Sequence, residues 1–94
     1  MQLENRYKLE DYMLSHADSV KPLTNWMALI RLAQWKSPQD IKNAVRSADF
    51  ISGNRVIFNI GGNKHRLVVV VMYAAGRVYV RWIGTHAEYS KLSF

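Results

Sequence analysis

Residues 55–85 read RVIFNIGGNKHRLVVVVMYAAGRVYVRWIGT, and this stretch decides the fold. Apolar residues recur at every second position in 55–60 and 77–85, which is typical of strands buried on one face. Residues 65–73 form a nearly continuous apolar run, as expected for a central strand covered on both sides. Gly61-Gly62-Asn63-Lys64 and Ala74-Ala75-Gly76 interrupt the pattern and favour turns. We therefore predict three consecutive antiparallel strands.

The residues before this stretch show helical rather than alternating periodicity. Leu23, Trp26 and Ile30 follow helical spacing, and Ser37-Pro38 is a strong helix start. The prediction is an α+β fold of order (β)αα(α)βββ, with a small antiparallel sheet and the helices on one face. Its elements are a short edge strand at 1–4, helices at 6–16, 21–34 and 38–46, strands at 55–60, 65–73 and 77–85, and a helical turn at 86–91. We expect one domain over residues 1–94.

Composition narrows the classes of function. The chain has no cysteine, which excludes disulfides and thiolate metal sites. Its longest apolar run, residues 67–75, is about half of the ~20 residues needed to span a bilayer, and the charged start does not resemble a signal peptide. We expect a cytoplasmic protein without membrane contact.

Residues 50–94 hold six basic residues and one acidic residue, Glu88, so they carry +5 of the net charge of +6. This bias favours a polyanionic partner.

The alternation also predicts which side chains share a face of the sheet. Closing the first hairpin at Gly62-Asn63 sets Ile60 opposite His65. Closing the second around Ala75-Gly76 sets Val69 opposite Trp82, with both on the core face. The opposite face then carries two rows, Arg55–Val70–Arg81 and Asn59–Arg66–Thr85, with Met72 beside Tyr79. A glycine-bulge loop at residues 74–76 would bury Arg81, so we reject it.

Such a face suits single-stranded RNA, because arginine binds phosphate and tyrosine stacks on bases. RNA can also be cleaved without metal when its 2′-hydroxyl attacks the adjacent phosphate, which requires a base, an acid and cations. The residues that could supply these parts are Arg66, His86, Tyr89 and Lys91. Scattered histidines at 16, 65 and 86 give no metal-ligand spacing. His16 is expected to end a helix, and His65 to be a loop residue or a substrate contact.

Several segments together resemble the HigB toxins of bacterial type II toxin–antitoxin systems. They are residues 35–38 (WKSP), 54–60 (NRVIFNI), 62–68 (GNKHRLV) and 81–89 (RWIGTHAEY). The resemblance implies a RelE-like fold, an mRNA endonuclease that generally acts on translating ribosomes, and a HigA antitoxin with a helix-turn-helix domain. By position, the residues that match the family's basic and terminal motif are Lys64, Arg66, Arg81, His86, Tyr89 and Lys91.

The expected roles are as follows. Arg66 and Arg81 hold phosphates and stabilise the transition state, and His86 or Tyr89 transfers protons. Lys64, Lys91 and Arg55 add positive charge for RNA, Tyr79 stacks a base, and no cofactor or metal is expected. Three alternatives stay open: a non-catalytic RNA-binding module, a RelE-fold toxin of another target such as gyrase, and a structural partner-binding domain.

Overall fold

The computed structural model describes residues 1–92, so Ser93 and Phe94 of the predicted 1–94 domain lie outside the described residues. Its helices are α1 (Tyr7–Ser15), α2 (Val20–Leu32), α3 (Pro38–Ala44) and α4 (His86–Ser90), with a 3-10 turn at Ala17–Ser19. Its strands are β1 (Gln2–Glu4), β2 (Asp49–Ile51), β3 (Arg55–Ile60), β4 (His65–Met72) and β5 (Arg77–Thr85). The predicted α+β class and the order of the predicted elements are confirmed.

The sheet is larger than predicted and is mixed rather than antiparallel. Its order is β1-β5-β4-β3-β2, and β1 pairs with β5 in parallel while the other pairs are antiparallel. No hairpin joins β1 to β5, so no local turn imposes an antiparallel arrangement. The sequence analysis missed β2, because three residues with an exposed Phe50 show no alternation.

Helices α1 to α3 contribute the apolar residues that cover one face of the sheet. Leu9, Leu23 and Ile30 are fully buried against strand residues such as Phe58 and Val69. Each such buried side chain stabilises the fold by roughly 1.5–3 kcal/mol relative to exposure. The apolar side chains of the helices therefore determine which side of the sheet becomes the core. The opposite side, which we call the outer face, is left to α4 and solvent.

The first hairpin has the predicted register. Ile60 lies opposite His65, and Asn59 lies opposite Arg66. Gly61 and Gly62 have φ values of 63° and 71°, a left-handed backbone that glycine adopts without a steric penalty. The pairing of β3 with β4 therefore brings Asn59 and Arg66 together on the outer face.

The predicted register of the second hairpin is wrong. The turn is longer than expected, because Met72 pairs with Arg77 and Tyr73 lies in the turn, packed beside the core. A β-bulge between Val68 and Val69 makes Arg81 an extra residue on β5. It shifts the alternation by one residue, so that Val80 stays in the core while Trp82 turns to the outer face.

The longer turn changes the first predicted row, and the turn and the bulge together change the second. The observed rows are Arg55–Val70–Tyr79 and Asn59–Arg66–Gly84, so Arg81 and Thr85 leave the rows assigned to them. Likewise Met72 lies opposite Arg77 rather than beside Tyr79.

Candidate active site

The site forms where β5 passes directly into α4. Thr85 is the N-cap of this five-residue helix, and its hydroxyl accepts a hydrogen bond from the Glu88 amide at 3.1 Å. The Glu88 carboxylate in turn accepts the Thr85 amide proton at 2.8 Å, which completes a capping box. This backbone hydrogen bond is the main cause of a lowered pKa of Glu88, and the Thr85 hydroxyl adds to it. The capping box orients the first turn of α4, which carries His86 and Tyr89.

Three of the predicted catalytic side chains meet on the outer face. Arg66 Nη2 lies 3.2 Å from His86 Nε2, and the Arg66 guanidinium carbon lies 4.8 Å from the centre of the Tyr89 ring. The Tyr89 ring is also 6.1 Å from the Trp82 ring. A cation over an aromatic face is worth about 0.5–1 kcal/mol at partly exposed sites. The arginine is thus held in place between an imidazole and a phenol ring.

A backbone hydrogen bond also joins the segments that carry these residues. The His86 amide donates to the Lys64 carbonyl at 3.0 Å, so the first residue of α4 is tied to the start of β4. The Lys64 side chain is exposed in the loop before β4, and Lys91 is exposed directly after α4. Both lysines therefore lie on segments next to Arg66 and His86, where their charge can add to the local positive potential.

Two polar atoms of this site are buried without a hydrogen-bond partner among residues 1–92. They are Arg66 Nε and Asn59 Oδ1, whose residues lie directly opposite each other on β3 and β4. Unsatisfied buried polar atoms are rare in native proteins, and they call for an explanation such as a ligand. The Arg66 Nε donor and the Asn59 Oδ1 acceptor could therefore bind a ligand beside the Arg66–His86 contact.

The Arg66–His86 contact also indicates the protonation state of the histidine. A guanidinium can only donate, so a hydrogen bond from Arg66 requires that His86 Nε2 accept. An imidazole that accepts at Nε2 is neutral and carries its proton on Nδ1. A neutral imidazole is the form that can take a proton from a substrate.

The remaining predicted RNA-binding residues are spread more widely than expected. Arg55 and Tyr79 share the outer face with Arg66, but their row is four residues away along β3, roughly 13 Å at ~3.3 Å per residue. The Arg55 side chain donates to the Ser52 carbonyl at 2.7 Å, within the turn before β3. Arg81 lines a shallow groove beside α1 with Lys8 and other residues. The predicted convergence of Arg55, Arg66 and Arg81 is therefore wrong, since the longer turn sets Tyr79 rather than Arg81 opposite Val70, and the β-bulge leaves Arg81 outside the pairing with β4.

A second polar cluster, which was not predicted from the sequence, lies directly behind the site. His65 is not a loop residue, because it begins β4, and its burial at 3% exposure does not fit the predicted substrate contact. Its Nδ1 lies 2.6 Å from the Tyr12 hydroxyl. His16, which directly follows α1 as predicted, stacks on Tyr12 with 3.8 Å between ring centres. The i, i+4 spacing of Tyr12 and His16 could have predicted their contact on one face of α1, but no sequence pattern relates them to His65.

Within residues 1–92, no group of three or more His, Asp or Glu side chains is arranged to hold a metal ion. Over the same residues, none of the helices combines the length and apolar character needed to cross a membrane.

Comparison with known proteins gives a consistent result. The chain is 33% identical over 57 residues to the mRNA interferase toxin HigB of Escherichia coli (strain K12), covering 58% of this chain and 55% of that protein. The mRNA interferase HigB of Shigella flexneri shows the same identity and coverage. The chain thus spans about half the length of these curated relatives. A 23% identity with the mRNA interferase HigB of Escherichia coli O6:H1 covers 99% of this chain and 92% of that protein.

Residues 19–92 match the HigB_toxin family, described as the RelE-like toxic component of a toxin–antitoxin system. This match includes β2 to β5, α4 and every residue of the Arg66–His86–Tyr89 site. The chain therefore belongs to the HigB toxin family.

Proposed function

We propose that this protein is the toxin of a type II toxin–antitoxin system and an endoribonuclease that cleaves mRNA, acting on translating ribosomes. The observation that carries the proposal is the contact of Arg66 with both His86 and Tyr89 on a basic face of the sheet. A cation, a neutral imidazole and a phenol are the parts that metal-free RNA cleavage needs. The names of the related mRNA interferases support the same activity.

In the proposed reaction, the 2′-hydroxyl of one nucleotide attacks its own 3′-phosphate. His86 Nε2 takes the proton of the 2′-hydroxyl as the new P–O bond forms. The P–O5′ bond breaks, and Tyr89 gives its proton to the departing 5′-oxygen. The products are a 2′,3′-cyclic phosphate and a 5′-hydroxyl, so atoms and protons balance. Tyr89 is the one proton donor with a neutral hydroxyl among the three side chains that meet here, which suits it to the role of the acid.

The substrate itself would expose the base. In the free protein Arg66 occupies the lone pair of His86 Nε2. A phosphate oxygen is a stronger, charged acceptor for a guanidinium than a neutral imidazole is. Binding of the scissile phosphate therefore draws Arg66 away from His86 and frees Nε2 for the 2′-hydroxyl. Arg66 then stabilises the charge that develops on the phosphate, with Lys64 and Lys91 adding to the positive potential.

The remaining basic residues suggest how the RNA runs along the protein. From the Arg66–His86 site, a single strand can follow the outer face toward the Arg55–Val70–Tyr79 row. There Arg55 would bind a phosphate and Tyr79 would stack a base. Arg81 lies on the bulge of β5 and lines the groove beside α1, so we keep it as a more distant RNA contact rather than a catalytic residue.

The proposed regulatory partner is a HigA-like antitoxin with a helix-turn-helix domain, and the proposed compartment is the cytoplasm. The free toxin carries most of its excess positive charge in residues 50–94. A partner that covers this surface would block RNA binding, and charge complementarity would accelerate the association.

The test combines brief induction of the protein with mapping of RNA 5′-ends, followed by incubation of purified protein with translating ribosomes and with free mRNA. We expect cuts with 5′-hydroxyl ends on ribosome-bound mRNA. Arg66→Ala and His86→Ala should abolish the cuts, while Arg46→Ala, which removes an exposed arginine before β2, should not. RNA binding without cuts would favour a non-catalytic module, and growth arrest with intact RNA and inhibited supercoiling would favour gyrase. Either result would overturn the proposal.

A further inference from the structure

His65 is an unusual residue to bury. It lies on the core face of the sheet, opposite Ile60 and Thr85, and only 3% of it is exposed. Burial of an imidazole is unfavourable unless its nitrogen atoms find partners. An apolar side chain would fill the same space without this requirement. The role of the buried imidazole can therefore be inferred from the groups that contact its two nitrogen atoms.

The partners come from α1 and from the 3-10 turn that follows it. The Tyr12 hydroxyl lies 2.6 Å from His65 Nδ1, and Asp18 Oδ1 lies 3.2 Å from His65 Nε2. The second contact is an electrostatic one, since its alignment falls short of a hydrogen bond. The His16 ring stacks on Tyr12 and meets His65 edge to face, with 5.9 Å between ring centres. These groups form a network that holds α1 against the first residue of β4.

The direction of the short hydrogen bond is inferred from Tyr12 and Asp18 together. Burial raises the pKa of Tyr12 to about 12, and the nearby carboxylates of Glu88 and Asp18 add to the effect. The hydroxyl therefore keeps its proton at neutral pH, and the acceptor-only Asp18 carboxylate 3.2 Å from His65 Nε2 favours a ring proton on that nitrogen, which leaves Nδ1 to accept from Tyr12. The proton of the neutral imidazole is then on Nε2, facing the Asp18 carboxylate.

His65 is the residue between the two that hold His86. The carbonyl of Lys64 accepts the His86 amide, and the side chain of Arg66 contacts His86 Nε2. Moreover Thr85, the N-cap of α4, lies opposite His65 in the sheet. A rotation or shift of the His65 backbone would therefore change both contacts of His86 together.

We propose that Tyr12, His65 and Asp18 form a positioning triad that sets the distance and orientation between Arg66 and His86. The triad acts from the core side of the sheet, on residues that act on the outer face. Its kinetic consequence rests on the proposed function, whereas its effect on the geometry of His86 does not. Misplacement of reacting groups by about 1 Å can reduce a rate roughly 100-fold.

The test uses Tyr12→Phe, which removes one oxygen atom, and Asp18→Asn, which removes a charge at a side chain that is 52% exposed. Tyr7→Phe is the matched control, because it removes the same atom from an exposed tyrosine of the same helix. Long-range ¹H–¹⁵N spectra report the tautomer and hydrogen bonding of the His86 ring. Single-turnover cleavage and RNA binding are measured on the full chain, below the melting transition of each variant.

We expect Tyr12→Phe to shift the His86 ring resonances and to lower the single-turnover rate roughly 10- to 100-fold, with the RNA Kd changed less than about twofold. Asp18→Asn should act in the same direction with a smaller effect, and Tyr7→Phe should change nothing. Unchanged His86 resonances in a folded Tyr12→Phe protein would overturn the triad, whatever the activity. If Tyr12→Phe shifts the His86 resonances but the wild-type protein does not cleave RNA, the result would count against the proposed function alone.

Discussion

Gly84→Ala tests how the outer face is packed around the proposed catalytic residues. A Cβ atom at Gly84 would lie 2.5 Å from Trp82 Cζ2 and Cη2, and 3.1 Å from Glu88 Oε1. Carbon atoms in contact normally lie about 3.5–4.0 Å apart, so the indole has to move by roughly 1–1.5 Å. The φ of Gly84 is not positive, so alanine adds no backbone strain and the effect is steric.

The expected cost is about 1–3 kcal/mol of the free energy of unfolding, as for other insertions into packed sites. For a domain of this size, that corresponds to a melting temperature lower by roughly 5–20 °C. Trp82 neighbours Tyr89, and Tyr89 lies beside the Arg66 guanidinium, so RNA cleavage should fall as well.

Urea unfolding of Gly84→Ala, Trp82→Phe and the double variant measures the coupling between the two positions. Phenylalanine lacks Cζ2 and Cη2, the atoms that the new methyl group meets, so Gly84→Ala should cost much less in the Trp82→Phe background. An equal cost in both backgrounds, or a cost below about 0.5 kcal/mol in the wild type, would refute the steric explanation.

Three further predictions concern the same region. Arg66→Lys keeps the charge but loses the planar fork, so cleavage should fall roughly 100-fold while RNA binding, measured by fluorescence anisotropy, weakens only a few-fold; wild-type cleavage would contradict the assigned role. Thr85→Ala removes the cap of α4 and should lower the free energy of unfolding by about 1 kcal/mol in urea titrations, with Thr85→Ser as the control that retains the hydroxyl. The pKa of Glu88 is lowered by its hydrogen bond with the Thr85 amide, so its stabilising effect is present above the unfolded pKa and is lost as the pH falls through the folded value. Melting temperatures between about pH 5 and pH 3 should therefore decrease less in Glu88→Gln than in the wild type, and parallel curves would exclude this contribution.

The sequence by itself determined the elements whose signals are local. Alternation in residues 55–60, the glycine turn at 61–62 and the helical spacing of Leu23 and Ile30 predicted the strands, the first register and the core face correctly. The resemblance in residues 81–89 located the end of β5 and α4 as part of the site. These features depend on side-chain period and turn chemistry, which act over a few residues.

Only the tertiary structure decided the second register and the partners of the histidines. The bulge at Arg81 sets Ile83 rather than Trp82 against the core, although the alternation of residues 78, 80 and 82 predicts the opposite. The contact of His65 with Tyr12 joins residues 53 positions apart, and that of Arg66 with His86 joins residues 20 positions apart. Nothing local in the chain encodes such contacts, because they arise when independently formed elements pack against each other.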